Sequence, residues 1–116
     1  MKIIVDTSIW SLALRRKKRQ SFSEIKILES LIDNQKICIL GPIRQEILSG
    51  IKENKQFVQL RDILSAFDDF PLTTKDYERA GEFYNICRSK GIQGSNTDFL
   101  ICAVSSNNHF PIFTSD

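Results

Sequence analysis

Histidine is almost missing from this chain. Among 116 residues only His109 is one, and it lies in a polar turn. A histidine base is therefore a poor prospect, and no Ser-His-Asp relay is evident. Cysteine is sparse too: Cys38, Cys87 and Cys102 are odd in number, widely spaced and without a CxxC pair. They offer no zinc set. Each sits in an apolar stretch, so buried free thiols in a reducing cytoplasm are expected. Long apolar runs are absent as well: none approaches the roughly 20 residues of a membrane span. The first run is too short for the h-region of a signal peptide, and the basic cluster follows it instead of preceding it. There are no repeats, low-complexity tracts or interdomain linkers.

What remains is ordinary globular composition, 41% hydrophobic and 26% charged. That is enough for one compact domain over 1–116 without disulfides.

The patterning alternates strands with helices. Residues 2–5 form a short Ile/Val-rich run with no polar alternation, which reads as a buried strand. Ser8 starts a helix through Ile9, Trp10, Leu12 and Leu14. Arg15, Arg16, Lys17, Lys18 and Arg19 then interrupt the pattern; like charges repel, and a mobile connection is expected. A helix from Ser23 carries Ile25, Leu28, Leu31 and Ile32 on one face and ends near Asp33 and Asn34. Lys36 to Leu40 is a second strand. Pro42 opens a helix with Ile43, Ile47 and Ile51 at helical spacing. Asn54 opens another, with Phe57, Leu60, Ile63, Leu64 and Phe67 inward. Asp68 and Asp69 at its end read as solvated, and Phe70 to Leu72 as extended. Thr74 is a credible cap for a helix with Ala80, Phe83, Tyr84 and Cys87 inward, which Gly91 stops. Asn96 or Thr97 caps a last helix, largely buried through Phe99–Val104. Pro111 to Thr114 is the third strand. The predicted fold class is α/β, a central parallel sheet with helices on both faces.

In such sheets ligands bind beyond the carboxyl ends of the strands. Asp6 and Asp116 each follow an apolar strand, which places both at that edge. With Glu46 and Asp98 they make a candidate acidic site. Clustered carboxylates cannot all ionise cheaply without a cation. Mg²⁺ or Mn²⁺ suits oxygen ligands, supplies a water nucleophile and stabilises phosphate charge. An all-acid site therefore points to phosphodiester hydrolysis. Each member also has a plainer reading. Asp6 and Asp98 fit helix N-caps, Glu46 borders an apolar helix face, and Asp116 is terminal. Thr7 and Ser8 could orient Asp6 or satisfy helix N–H groups. The basic run Arg15–Arg19 could contact RNA phosphates or form a solvated loop. Setting the four acids aside leaves 16 basic against 10 acidic residues, an excess of +6 that suits a polyanionic substrate.

With these residues in view, the chain resembles the PIN-domain ribonucleases, specifically the VapC-like toxins of prokaryotic toxin–antitoxin pairs. Ile3-Ile4-Val5-Asp6-Thr7-Ser8-Ile9-Trp10 looks like that family's opening motif. Arg44-Gln45-Glu46-Ile47-Leu48 resembles its second, Thr97-Asp98-Phe99-Leu100-Ile101-Cys102-Ala103 its third, and Ile112-Phe113-Thr114-Ser115-Asp116 its fourth. The resemblance covers essentially the whole chain. It implies a three-layer PIN-like fold and a Mg²⁺- or Mn²⁺-dependent endoribonuclease. Asp6 and Asp98 would be the principal ligands, completed by Glu46 and Asp116, with Thr114 in support. It also implies a homodimer and a neutralising antitoxin. Family members usually continue past the fourth acid into a final strand; this chain stops at Asp116, so the C-terminal tail is expected to be missing.

Two other classes compete. One is a catalytically silent PIN-like domain that binds RNA or protein. The other is a phosphatase or receiver domain, whose first strand also ends in Asp. A haloacid-dehalogenase phosphatase would want an acid at position 8, which is Ser, and a receiver would want an acid pair before the first helix.

Overall fold

The computed structural model describes residues 1–15 and 22–115. Three short strands form a parallel sheet in the order β2-β1-β3, with β1 (Ile3–Val5) between β2 (Ile37–Cys38) and β3 (Ile112–Phe113). Ile3 registers with Ile37 and Ile4 with Cys38 on one side; Ile4 pairs with Ile112 and Val5 with Phe113 on the other. Ile4 and Val5 are fully buried. A central strand covered on both faces needs no polar alternation, which is why the run reads as continuous apolar sequence. The helices are α1 (Thr7–Arg15), α2 (Phe22–Asp33), α3 (Gly41–Leu48), α4 (Asn54–Leu64), α5 (Thr74–Ser89) and α6 (Asn96–Asn108). They cover both faces of the sheet, giving the expected three-layer α/β arrangement. None of the described helices is long and apolar enough to cross a membrane.

The main core gathers Ile4, Val5, Ile9, Trp10, Leu28 and Leu40 with residues of α3, α4 and α6. A smaller one joins Ala80, Phe99 and Ala103 where α5 packs on α6.

Several local expectations need correction. Ile51 lies beyond the end of α3, which stops at Leu48 before Gly50 turns the chain at φ +81°. Ile63 is 52% exposed, so the inward face of α4 is narrower than its apolar positions suggest. Of the cysteines only Cys38 is buried; Cys87 is half-buried and Cys102 is exposed. An unbroken apolar run on a helix must turn some positions outward, and Cys102 is one. Burial drives the Cys38 thiol up to about 11, against a small opposing pull from Lys2. Asp69 is not merely solvated: its carboxylate accepts from Arg44 Nε at 2.8 Å. Its backbone also extends the sheet through a parallel bridge to Ile39.

The caps sit one residue earlier than expected. Thr73, not Thr74, caps α5, in a reciprocal box with Asp76. Ser95, not Asn96 or Thr97, caps α6, in a box with Asp98. Both follow the Ser/Thr-x-x-acid grammar of a capping box. Asp76 is buried, and its Oδ1 also accepts from Asn107 Nδ2 at 2.9 Å, tying the start of α5 to the end of α6. Burial alone would raise its pKa; the hydrogen bonds from Asn107 and Thr73 outweigh this and hold it below the ordinary carboxyl value. Asp76→Ala is expected to cost about 1–3 kcal/mol by denaturant titration. The folded pKa is the lower one, so this stabilisation is complete above the unfolded carboxyl value near ~3.9. It is lost as pH falls through the folded value. The stability difference between wild type and Asp76→Ala should therefore shrink on acidification.

A candidate carboxylate site at the edge of the sheet

Strand β1 ends at Val5 and delivers Asp6 to the carboxyl edge. The backbone fixes Asp6 on both sides: its N–H donates to Phe113 O at 3.0 Å, and its C=O accepts from Ile9 N at 3.1 Å. It thus holds the N-cap position of α1. A capping side chain would accept from the second or third N–H of the helix. Asp6 instead takes the first, Thr7 N at 2.8 Å, on Oδ1. Its Oδ2 accepts from Ser8 Oγ at 3.0 Å and Thr114 Oγ1 at 2.9 Å. Ser8 Oγ in turn accepts from Ser115 N at 3.3 Å. The carboxylate is therefore oriented by residues of two strand ends, not by a capping bond to the second or third N–H.

Glu46 is exposed near the end of α3 and is tied to this edge through Thr7, whose Oγ1 donates to Glu46 Oε1 at 2.8 Å. Thr7 thus links two acids, with its N–H on Asp6 and its hydroxyl on Glu46. Asp98 is exposed in the first turn of α6. Its Oδ2 accepts from Ser95 N at 3.0 Å; its Oδ1 makes no hydrogen bond to any described residue. The Cys102 thiol, one turn on, reports both aspartates. Its pKa is raised first by burial around the sulfur, then by the charges of Asp98, Cys87 and Asp6. Asp6 and Asp98 therefore lie within electrostatic reach of the same thiol.

None of these three acids pairs with a described Lys or Arg; the ion pairs are Arg44–Asp69, Arg61–Asp62 and Arg79–Glu82. The donor set is all oxygen, partly exposed and without a counter-charge among the described residues, which fits a hard divalent cation. It is not a closed cage: among the described residues no group of three or more His, Cys, Asp or Glu is placed to hold a metal ion. Mg²⁺ needs no cage, since one or two carboxylates with waters and substrate phosphates suffice. Asp116 lies outside the described residues, as do Arg16, Lys17, Lys18 and Arg19. Arg15 ends α1.

Two supporting residues escaped the sequence reading. Ser95 fixes Asp98, and Ser95-x-x-Asp98 was a legible signal. Arg44 fixes the neighbourhood of Glu46. Its guanidinium donates to Leu64 O at 2.9 Å, to Phe67 O and to Asp69. Those partners lie 20 to 25 residues away, and no local pattern announces them.

The PIN domain family profile matches residues 3–116. No curated protein sequence matches the chain significantly. Among solved structures, the chain is similar to one in the crystal structure of VapBC2 from Rickettsia felis bound to a DNA fragment from their promoter. The TM-score is 0.79 at 24% identity, covering 100% of this chain and 88% of that one. Matched over nearly its whole length, the chain belongs to the PIN domain family.

Proposed function

We propose that this protein is a divalent-metal-dependent endoribonuclease, the toxin of a toxin–antitoxin pair. The observation that carries the reading is Asp6, held by Thr7, Ser8 and Thr114 at the carboxyl edge, with Glu46 tied to it through Thr7, Asp98 in electrostatic reach of the same Cys102 thiol, and no cationic partner for any of them among the described residues. Asp6 and Asp98 would hold Mg²⁺ or Mn²⁺, with Glu46 and Asp116 completing the acidic quartet directly or through water. When bound, such an ion activates water and stabilises charge on the scissile phosphate. The chain's own residues do the rest. Thr7, Ser8 and Thr114 fix the rotamer of Asp6, so its charge is aimed before substrate arrives. The Ser95 N–H holds one Asp98 oxygen and leaves the other for a ligand. Glu46, exposed and restrained by Thr7, would complete the set directly or through water. Arg15–Arg19 would contact RNA phosphates.

The Rickettsia felis neighbour is a VapBC pair, which supports an antitoxin as the partner here. A homodimer and a cytoplasmic setting belong to the same reading. The open arrangement of the acids favours the other reading, a catalytically silent domain that binds RNA or protein. One experiment separates them. Purified protein is expected to cut single-stranded RNA in Mn²⁺, to lose at least about a hundredfold in rate in EDTA, and to recover when Mn²⁺ is restored. RNA binding with no metal-stimulated turnover would establish the silent reading instead.

A further inference from the structure

Near Asp98, α5 and α6 leave an open groove of about 810 Å³. Its walls include Tyr77, Tyr84 and Asn85 of α5, Gly94 of the preceding loop, and Asn96 and Phe99 of α6. The two helices run antiparallel, since Asp76 meets Asn107 at one end and Tyr84 meets Phe99 at the other. The groove reaches the candidate site: a Cβ on Gly94 would lie 3.1 Å from Phe99 Cζ and 3.6 Å from Asp98 Oδ2. From Tyr84 it extends along α5 to Tyr77, seven residues earlier, about 10 Å at ~1.5 Å per residue. A strand of nucleic acid crossing Asp98 would lay its neighbouring nucleotides here.

We propose that this groove binds an unstacked nucleobase of the RNA substrate, with Tyr77 as its stacking platform. The inference rests on the ribonuclease reading above. Tyr77 is 55% exposed, and its ring stacks on no other ring among the described residues. Tyr84 is already engaged, edge-on with Phe99 at 5.6 Å and under the Arg88 guanidinium at 5.5 Å. Arg88 therefore brings a cation to the rim, where a phosphate would pass. Asn85 and Asn96 are exposed, and their amides make no hydrogen bond to any described residue. Each can donate and accept, as the edge of a base requires. The volume lies in the range of small-ligand sites. Aromatic face, amides that bond no described residue, rim cation and closeness to Asp98 through Gly94 together match single-strand recognition.

The test is steady-state cleavage of a single-stranded RNA in Mn²⁺ by the full chain, with intact RNA and a set of single-abasic versions. Tyr77→Ala is expected to raise KM about five- to a hundredfold with kcat little changed. Tyr77→Phe should stay within about twofold, since the ring face is kept. Removing one particular base should cost wild type a similar factor and cost Tyr77→Ala nothing further. Gly81→Leu guards against misfolding. A Cβ at Gly81 meets nothing within 4 Å, so a leucine there points into open space in the groove. It should raise Tm, because glycine is a poor helix former, while raising KM. The proposal is overturned if Tyr77→Ala and Gly81→Leu cut like wild type, or if no abasic position matters. It is also overturned if either variant changes the sedimenting mass, which would make this face a contact between copies. Wild type that cuts no RNA defeats the ribonuclease reading itself, and the subsite with it.

Discussion

Asp98→Asn is expected to lower metal-stimulated RNA cleavage at least about a hundredfold while leaving the fold intact. The substitution keeps the shape and removes the charge. Asparagine Oδ1 can still accept from Ser95 N, so the start of α6 keeps its cap. Asp6→Asn is expected to be as damaging to activity for the same reason. Its amide oxygen can keep Thr7 N, the one donor that cannot reorient. Its NH₂ group then faces Ser8 and Thr114, whose hydroxyls can turn and accept. Both variants should therefore unfold near the wild-type midpoint, and a thermal melt beside the cleavage assay separates lost chemistry from lost fold. Full activity in both variants would show that these carboxylates are not where the reaction happens.

The largest effect on stability is expected from Arg44→Met, about 2–4 kcal/mol, or roughly 10 °C in Tm. Arg44 is mostly buried, with its side chain 22% exposed. The half-exposed contact to Asp69 is worth little by itself. The bonds to Leu64 O and Phe67 O matter more, because they tie α3 to the last residue of α4 and to the turn after it. Leu64 O otherwise receives only the turn bond from Phe67 N at 3.1 Å, and the helix dipole favours a cation at this end. Methionine keeps much of the packing volume and removes every donor. Arg44→Lys should recover only part of the loss, since one ammonium cannot reproduce the fork. Glu46 is two residues on in α3, so Arg44→Met should also lower activity in the folded fraction. A denaturant midpoint unchanged by Arg44→Met would refute this account of how α3 is anchored.

The order of elements was legible because each has a strong local signature. Ile3–Val5 is uniformly apolar, as a strand covered on both faces must be. Pro42 and Gly50 bracket α3. Ser95 and Asp98 carry a capping box whose register was missed by one residue. Tertiary context hid other things. Ile63 matches an inward periodicity yet is half exposed to solvent. Cys102 sits in an apolar run and is nevertheless exposed. At the site, the strand-then-Asp grammar marked Asp6. The bonds its carboxylate makes, to Thr7 N and to the Ser8 and Thr114 hydroxyls, were not legible there. Thr7's link between Asp6 and Glu46 joins residues 39 apart in sequence, and only the fold brings them together.

The central claim is that Asp6 and Asp98 share one divalent cation. A crystal soaked in Mn²⁺, with anomalous scattering recorded at the manganese edge, tests it most directly. One peak is expected within about 2.0–2.3 Å of an oxygen from each aspartate, and it should vanish in Asp6→Asn and Asp98→Asn crystals. Crystals that hold no manganese between Asp6 and Asp98, at Mn²⁺ concentrations that support cleavage, would contradict it.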